Sequence, residues 1–100
     1  MASHKELKVW QESMDLVVSV YQEVSSFPKD EMYGLTSQIK RAVVSIPSNI
    51  AEGAGRQSRA EFIRFLYIAL GSASELETQI EIAFRLGFIG ELKTFQTRMN

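Results

Sequence analysis

Residues 58–87 read SRAEFIRFLYIALGSASELETQIEIAFRLG, and the fold class turns on this stretch. Ser58 followed three residues later by Glu61 is a capping-box pattern, in which a hydroxyl accepts from a first-turn amide and a carboxylate reaches back to the cap. Beyond it Phe62, Leu66, Ala69, Ala73, Leu76, Ile80 and Ala83 alternate at spacings of four and three, which keeps one seam of a helix against a partner. Gly87 fits a C-terminal cap. The pattern predicts a helix over 58–86.

Upstream, Met32, Leu35, Ile39, Val43, Ile46 and Ile50 repeat the spacing and predict a helix over 30–54. Pro28 precedes it, Asp30 and Glu31 lie where the helix dipole favours negative charge, and Gly53 and Gly55 close it. Pro47 sits inside this pattern, and a kink is expected there, not a stop, because Ile50 keeps the phase. Further upstream Leu7, Trp10, Met14, Val17, Tyr21 and Val24 predict an inward stripe on a helix over 7–26, widened by Val9, Leu16, Val20 and Phe27 and ended at Phe27-Pro28. Downstream, Phe88, Ile89, Leu92 and Phe95 begin a fourth, shorter pattern over 89–99. Short connections make consecutive helices antiparallel neighbours. The expectation is an all-α protein: an antiparallel up-down four-helix bundle with a short or truncated fourth helix, in one domain spanning 1–100.

The bulk properties agree. A chain of 100 residues, 45% hydrophobic and 23% charged, has enough apolar matter for one core without a metal or disulfide staple. The absence of cysteine removes thiol catalysis, zinc ribbons and disulfides together. No apolar run approaches the roughly 20 residues of a membrane helix, and Met1 to Lys8 lacks the apolar stretch of a signal peptide, so no membrane partner and a cytoplasmic location are expected.

The net charge of −1 is unevenly spread. Lys40, Arg41, Arg56, Arg59 and Arg64 face only Glu52 and Glu61 in the middle of the chain, whereas acids outnumber lysines before Leu35. Those five basic residues are the candidates for positioning nucleic-acid phosphates at the junction of the second and third helices, with Phe65 and Tyr67 as residues that stack on a base or serve the core.

On a helical wheel Gln38, Arg41, Ser45, Asn49, Glu52 and Arg56 share one stripe, with Ser48 beside it. Solvated helix faces ordinarily carry Lys and Glu, whereas serine and asparagine suit a partly enclosed contact. Three readings stay open. The small polar groups satisfy backbone freed by Pro47 while the arginines pair with Glu52 and Glu61; they form a contact between subunits; or they line a binding groove. Gly71-Ser72-Ala73-Ser74 in mid-helix suggests close approach of another helix, since glycine there costs about 1 kcal/mol relative to alanine.

No catalytic residue is nominated. His4 is the single histidine and has no partner in motif spacing, and Glu75, Glu77 and Glu81 lack the Glu-x-x-His element of carboxylate di-metal bundles. No cofactor or metal is expected, and an enzyme built on Asn49 and Glu52 is the least favoured class.

The run Gln38-Ile39-Lys40-Arg41-Ala42-Val43-Val44-Ser45-Ile46-Pro47-Ser48-Asn49-Ile50-Ala51-Glu52-Gly53, then Gly55-Arg56 and Ser58, resembles the four-helix-bundle proteins encoded in 23S ribosomal RNA intervening sequences. The likeness continues through Glu61-Phe62, Arg64-Phe65-Leu66, Ala69, Gly71-Ser72 and Glu75-Leu76-Glu77, and it is preceded by Val9-Trp10-Gln11, Phe27-Pro28, Glu31 and Tyr33-Gly34-Leu35. The resemblance implies an up-down bundle that assembles with copies of itself into a ring, a pentamer, with no enzymatic activity. It also implies kinship with the accessory protein of diversity-generating retroelements, which binds nucleic acid and a reverse transcriptase. Those relatives are strongly basic and this chain is not, so RNA or DNA binding would have to rest on Lys40, Arg41, Arg56, Arg59 and Arg64. Family members complete the fourth helix, so an apolar groove for a neighbour to cover is a further expectation.

Overall fold

A computed structural model describes residues 3–90, and all regular structure within them is helical. Helix α1 spans Lys8–Val24, α2 spans Leu35–Ala54 and α3 spans Arg59–Arg85. Two short 3-10 turns, His4–Glu6 and Lys29–Glu31, precede α1 and α2. The expected fourth helix over 89–99 falls almost wholly outside the described residues, so the architecture established here is three helices in up-down-up order.

Helix α3 follows its sequence closely. Ser58 Oγ accepts from the Glu61 amide at 3.3 Å, and the far end closes in a Schellman pattern, with the Phe88 N–H donating to Ala83 O at 2.9 Å and the Gly87 N–H to Phe84 O at 3.0 Å. Gly87 takes φ +80°, a conformation that an L side chain would resist. The seam is buried at Ala69, Leu76, Ile80 and Ala83, with Leu66 and Ala73 packed at its margin.

Helix α2 starts later than its spacing suggests. Met32 to Gly34 form a turn, and Glu31 Oε1 accepts from the Leu35 N–H at 3.1 Å, so the acid predicted inside the first turn caps the helix from outside it. Met32, expected in the core, is 52% exposed as a result. At the other end the helix runs past Gly53 to Ala54. Pro47 lies buried within it, and the helix continues through that position. A proline there gives up one backbone hydrogen bond, at a cost of ~3 kcal/mol. Ile39, Val43, Ile46 and Ile50 on the same helix are almost wholly buried, each side chain contributing roughly 1.5–3 kcal/mol.

Helix α1 turns inward most of its expected face, with Leu7, Trp10 and Val17 packed on the core. Ser13, Leu16, Val20 and Val24 are buried, while Met14 and Tyr21 of the expected stripe are 40% and 41% exposed. α1 packs closely on α2 but scarcely on α3, so the Met14–Tyr21 edge of its wide apolar face stays uncovered. Phe27, just past its end, joins the core beside Phe88, ring centroids 5.5 Å apart. His4 packs edge-on against Trp10 at 5.1 Å.

α2 is thus the central element, touched along its length by both neighbours. Where α1 and α3 diverge above it, a cleft floored by Ile46 and Ile50 opens between Leu16 and Leu66.

Candidate functional site

The polar stripe on α2 lies at the outer edge of its junction with α3. Ser45 and Asn49 are half-buried, while Gln38, Arg41, Ser48 and Glu52 are exposed. Ser45 Oγ donates to Ala42 O at 2.7 Å, Ser48 Oγ to Val44 O at 2.8 Å and Asn49 Nδ2 to Ser45 O at 2.7 Å. These carbonyls flank that of Val43, the one whose helical donor Pro47 removes. The small polar side chains turn back onto their own helix, but none of these bonds reaches Val43 O, so they do not replace the donor that Pro47 removes as the first open reading expected.

The arginines divide into two groups. Arg56 Nε sits 2.9 Å from Glu52 Oε2 and Arg64 Nε sits 3.1 Å from Glu61 Oε2. Both guanidinium groups lie over the ring of buried Phe65, at 5.1 and 4.7 Å from its centroid. This arrangement of two cations, two carboxylates and an aromatic ring ties the end of α2 to the start of α3. Phe65 belongs to this structural cluster, and Tyr67, 70% exposed, is the aromatic left available for stacking. Arg41 and Arg59 have no ion-pair partner among the described residues. Lys40 points the other way around α2, its Nζ 5.0 Å from the Tyr21 ring on α1. The five basic residues nominated from sequence do not form one patch: Arg56, Arg59 and Arg64 gather at the α2–α3 turn, whereas Arg41 and Lys40 sit on different sides of the middle of α2.

Two features escape the sequence reading. Gly53 is a close-approach residue inside α2: a Cβ there would stand 2.7 Å from Phe65 Cβ and 3.3 Å from the Phe62 carbonyl oxygen. Gly71, where such an approach is expected, has nothing within 4 Å of the place a Cβ would occupy. The second feature is Gln79. It is 7% exposed in a position flanked by Leu76 and Ile80, and its Oε1 has no hydrogen-bond partner. Its signal was a long amide one step off the apolar seam. Gln79, Glu75, Thr78 and Ile82 of α3 face Gln38, Arg41 and Ser45 of α2 across an open groove of about 640 Å³.

The connection between the two helices carries one further special conformation, with Gln57 at φ +57°. No helix among the described residues is long and apolar enough to cross a membrane. A comparison with curated proteins gives no match. The 23S rRNA-intervening sequence protein family matches residues 5–100, a span that takes in the Ser-Ile-Pro-Ser-Asn-Ile-Ala-Glu-Gly stretch of α2 and the whole of α3. With nearly the entire chain covered, this protein belongs to the 23S rRNA-intervening sequence protein family.

Proposed function

We propose that this chain is a non-enzymatic assembly module of its family, a helical bundle that works as a homo-oligomer, with the pentamer implied by its family likeness as the preferred state. One observation carries the reading: large apolar side chains stand outside on α1, on α3 and in the turn before α2, with Val18 56%, Tyr67 70%, Leu70 61% and Tyr33 92% exposed. Single exposed apolar residues are ordinary, but Met14, Val18 and Tyr21 on α1 and Ile63, Tyr67 and Leu70 on α3 recur at helical spacing, which makes stripes of them. Light scattering across micromolar concentrations tests it. A mass several times 11.3 kDa is expected, and a monomer at all concentrations would remove the reading.

A second reading, contact with RNA or DNA, draws on Arg59 and Arg41, the two nominated arginines without a carboxylate partner among the described residues. Repetition of both around an assembly would add to a weak site on each copy. Titration with a 23S ribosomal RNA fragment at increasing salt is the test. Binding that weakens with a log–log slope of roughly −0.7 to −0.9 per phosphate contact supports it, and affinity indifferent to salt counts against it.

A further inference from the structure

A cavity of about 670 Å³ opens at the end of the bundle where the 3-10 turn His4–Glu6 meets the connection between α2 and α3. Small-molecule sites occupy roughly 300–1,000 Å³. Most of its wall is apolar: Leu7 comes from the turn before α1 and Phe62 from α3, both half-buried, while Gly53 and Ala54 at the end of α2 are too small to fill the space.

The polar groups on that wall are few and share one character. None of the residues lining the cavity is an acid. Arg56 and Arg64 at the same junction each hold a carboxylate, whereas Arg59, which lines the cavity, has no ion-pair partner among the described residues. His4 lines it too, half-buried, with its ring set edge-on to Trp10 at 5.1 Å, and even a neutral imidazole keeps one N–H to donate. Gln57 stands on the same wall at φ +57°, a backbone conformation that glycine holds at less cost than a residue with a side chain. A long amide is kept there in spite of that cost, and left-handed residues of this kind gather at ligand sites.

We propose that this cavity binds a small organic carboxylate, an aryl or alkyl acid whose apolar body lies against Leu7 and Phe62 and whose carboxylate pairs with the Arg59 guanidinium, with His4 and Gln57 donating to its remaining lone pairs. The one permanent positive charge on the wall matches a monoanion, whereas a phosphate monoester, close to a dianion at neutral pH, would keep charge uncompensated. An inorganic anion would leave the apolar wall in water, and a neutral apolar compound would cover Arg59 without pairing it. The site is built within one copy, so it does not rest on the self-assembly proposed above.

Titration of the full ¹⁵N-labelled chain with 4-phenylbutyrate, at one protein concentration and constant ionic strength, tests it through the amide shifts. Saturable shifts at Leu7, Ala54, Gln57 and Phe62 are expected at millimolar concentrations, with binding at least about tenfold weaker for the neutral 4-phenylbutan-1-ol. Arg59→Gln alters an exposed side chain, so the rest of the spectrum should stay unchanged. That variant is expected to weaken the acid about tenfold and to leave the alcohol as it was. Equal binding of acid and alcohol would reduce the cavity to an apolar hole and overturn the proposal. So would a folded R59Q variant that binds the acid like wild type, displacement of the acid by equimolar inorganic phosphate, or shifts spread along the exposed apolar residues of α1 and α3. The absence of any saturable shift below about 10 mM would overturn it as well.

Discussion

Gly53 and Gly71 both interrupt apolar helices of this protein, in opposite surroundings. At Gly53 the backbone of α2 lies so close to α3 that even a methyl group would collide with Phe65. At Gly71 the same substitution would meet open space. A helical glycine is thus no sign of close packing until its neighbours are known. Around Gly53 the helices are joined by shape and by the paired arginines over Phe65, whereas the flank around Gly71 is free for a partner.

The sharpest way to break this contrast is to attack the joined side through its core. Leu76→Ala removes a wholly buried side chain between α3 and α2, and a loss of about 3 kcal/mol in urea unfolding is expected. A loss under about 1 kcal/mol would show the seam to be loosely packed. Gly53→Ala comes next. Alanine is the better helix former by about 1 kcal/mol, so a net loss of about 2 kcal/mol, from a clash that must push Phe65 aside, isolates the steric effect; a gain would mean that the helices separate without difficulty. Gly71→Ala is the mirror image. With nothing to collide with in the chain, it should raise the stability of the dissociated protein by about 1 kcal/mol, measured at concentrations where no assembly persists. The smallest effect belongs to Ser48→Ala on the polar stripe, within about 0.5 kcal/mol, because its hydroxyl donates to a carbonyl already inside a helix. A loss well above that would make this serine a structural requirement of the Pro47 turn.

How much of this was legible in the sequence differs by helix. α3 could be read nearly residue for residue, since Ser58, the four-and-three seam and Gly87 are local signals that act within one helix. α1 could be read as a helix and for most of its facing, but not for how wide a face is covered, because Met14 and Tyr21 continue the apolar stripe past the edge that α2 reaches. The start of α2 slipped for a different reason: Glu31 suits the first turn of a helix and suits an external cap equally well, and Gly34 decides in favour of the cap. Of the first open reading, the pairing of arginines with Glu52 and Glu61 is met, whereas the bonds of Ser45, Ser48 and Asn49 miss the carbonyl freed by Pro47. The division of the arginines was not visible, because Arg56 and Arg64 are held by a ring from the next helix while Lys40 is drawn to Tyr21 on the previous one. Gln79 had a faint signature only, and its missing donor is a three-dimensional fact.

The central position of α2 bears on how the molecule comes apart. α1 and α3 each lean on α2 and hardly on one another, so the loss of α1 leaves the α2–α3 pair with its Gly53 contact and arginine clasp intact, whereas the loss of α2 leaves little beyond the Phe27–Phe88 contact. Opening therefore has a built-in order. Amide hydrogens of α1 should exchange with solvent ahead of those facing the α2–α3 seam, and a protease should find its first cut between Val24 and Leu35, the hinge about which α1 would swing away.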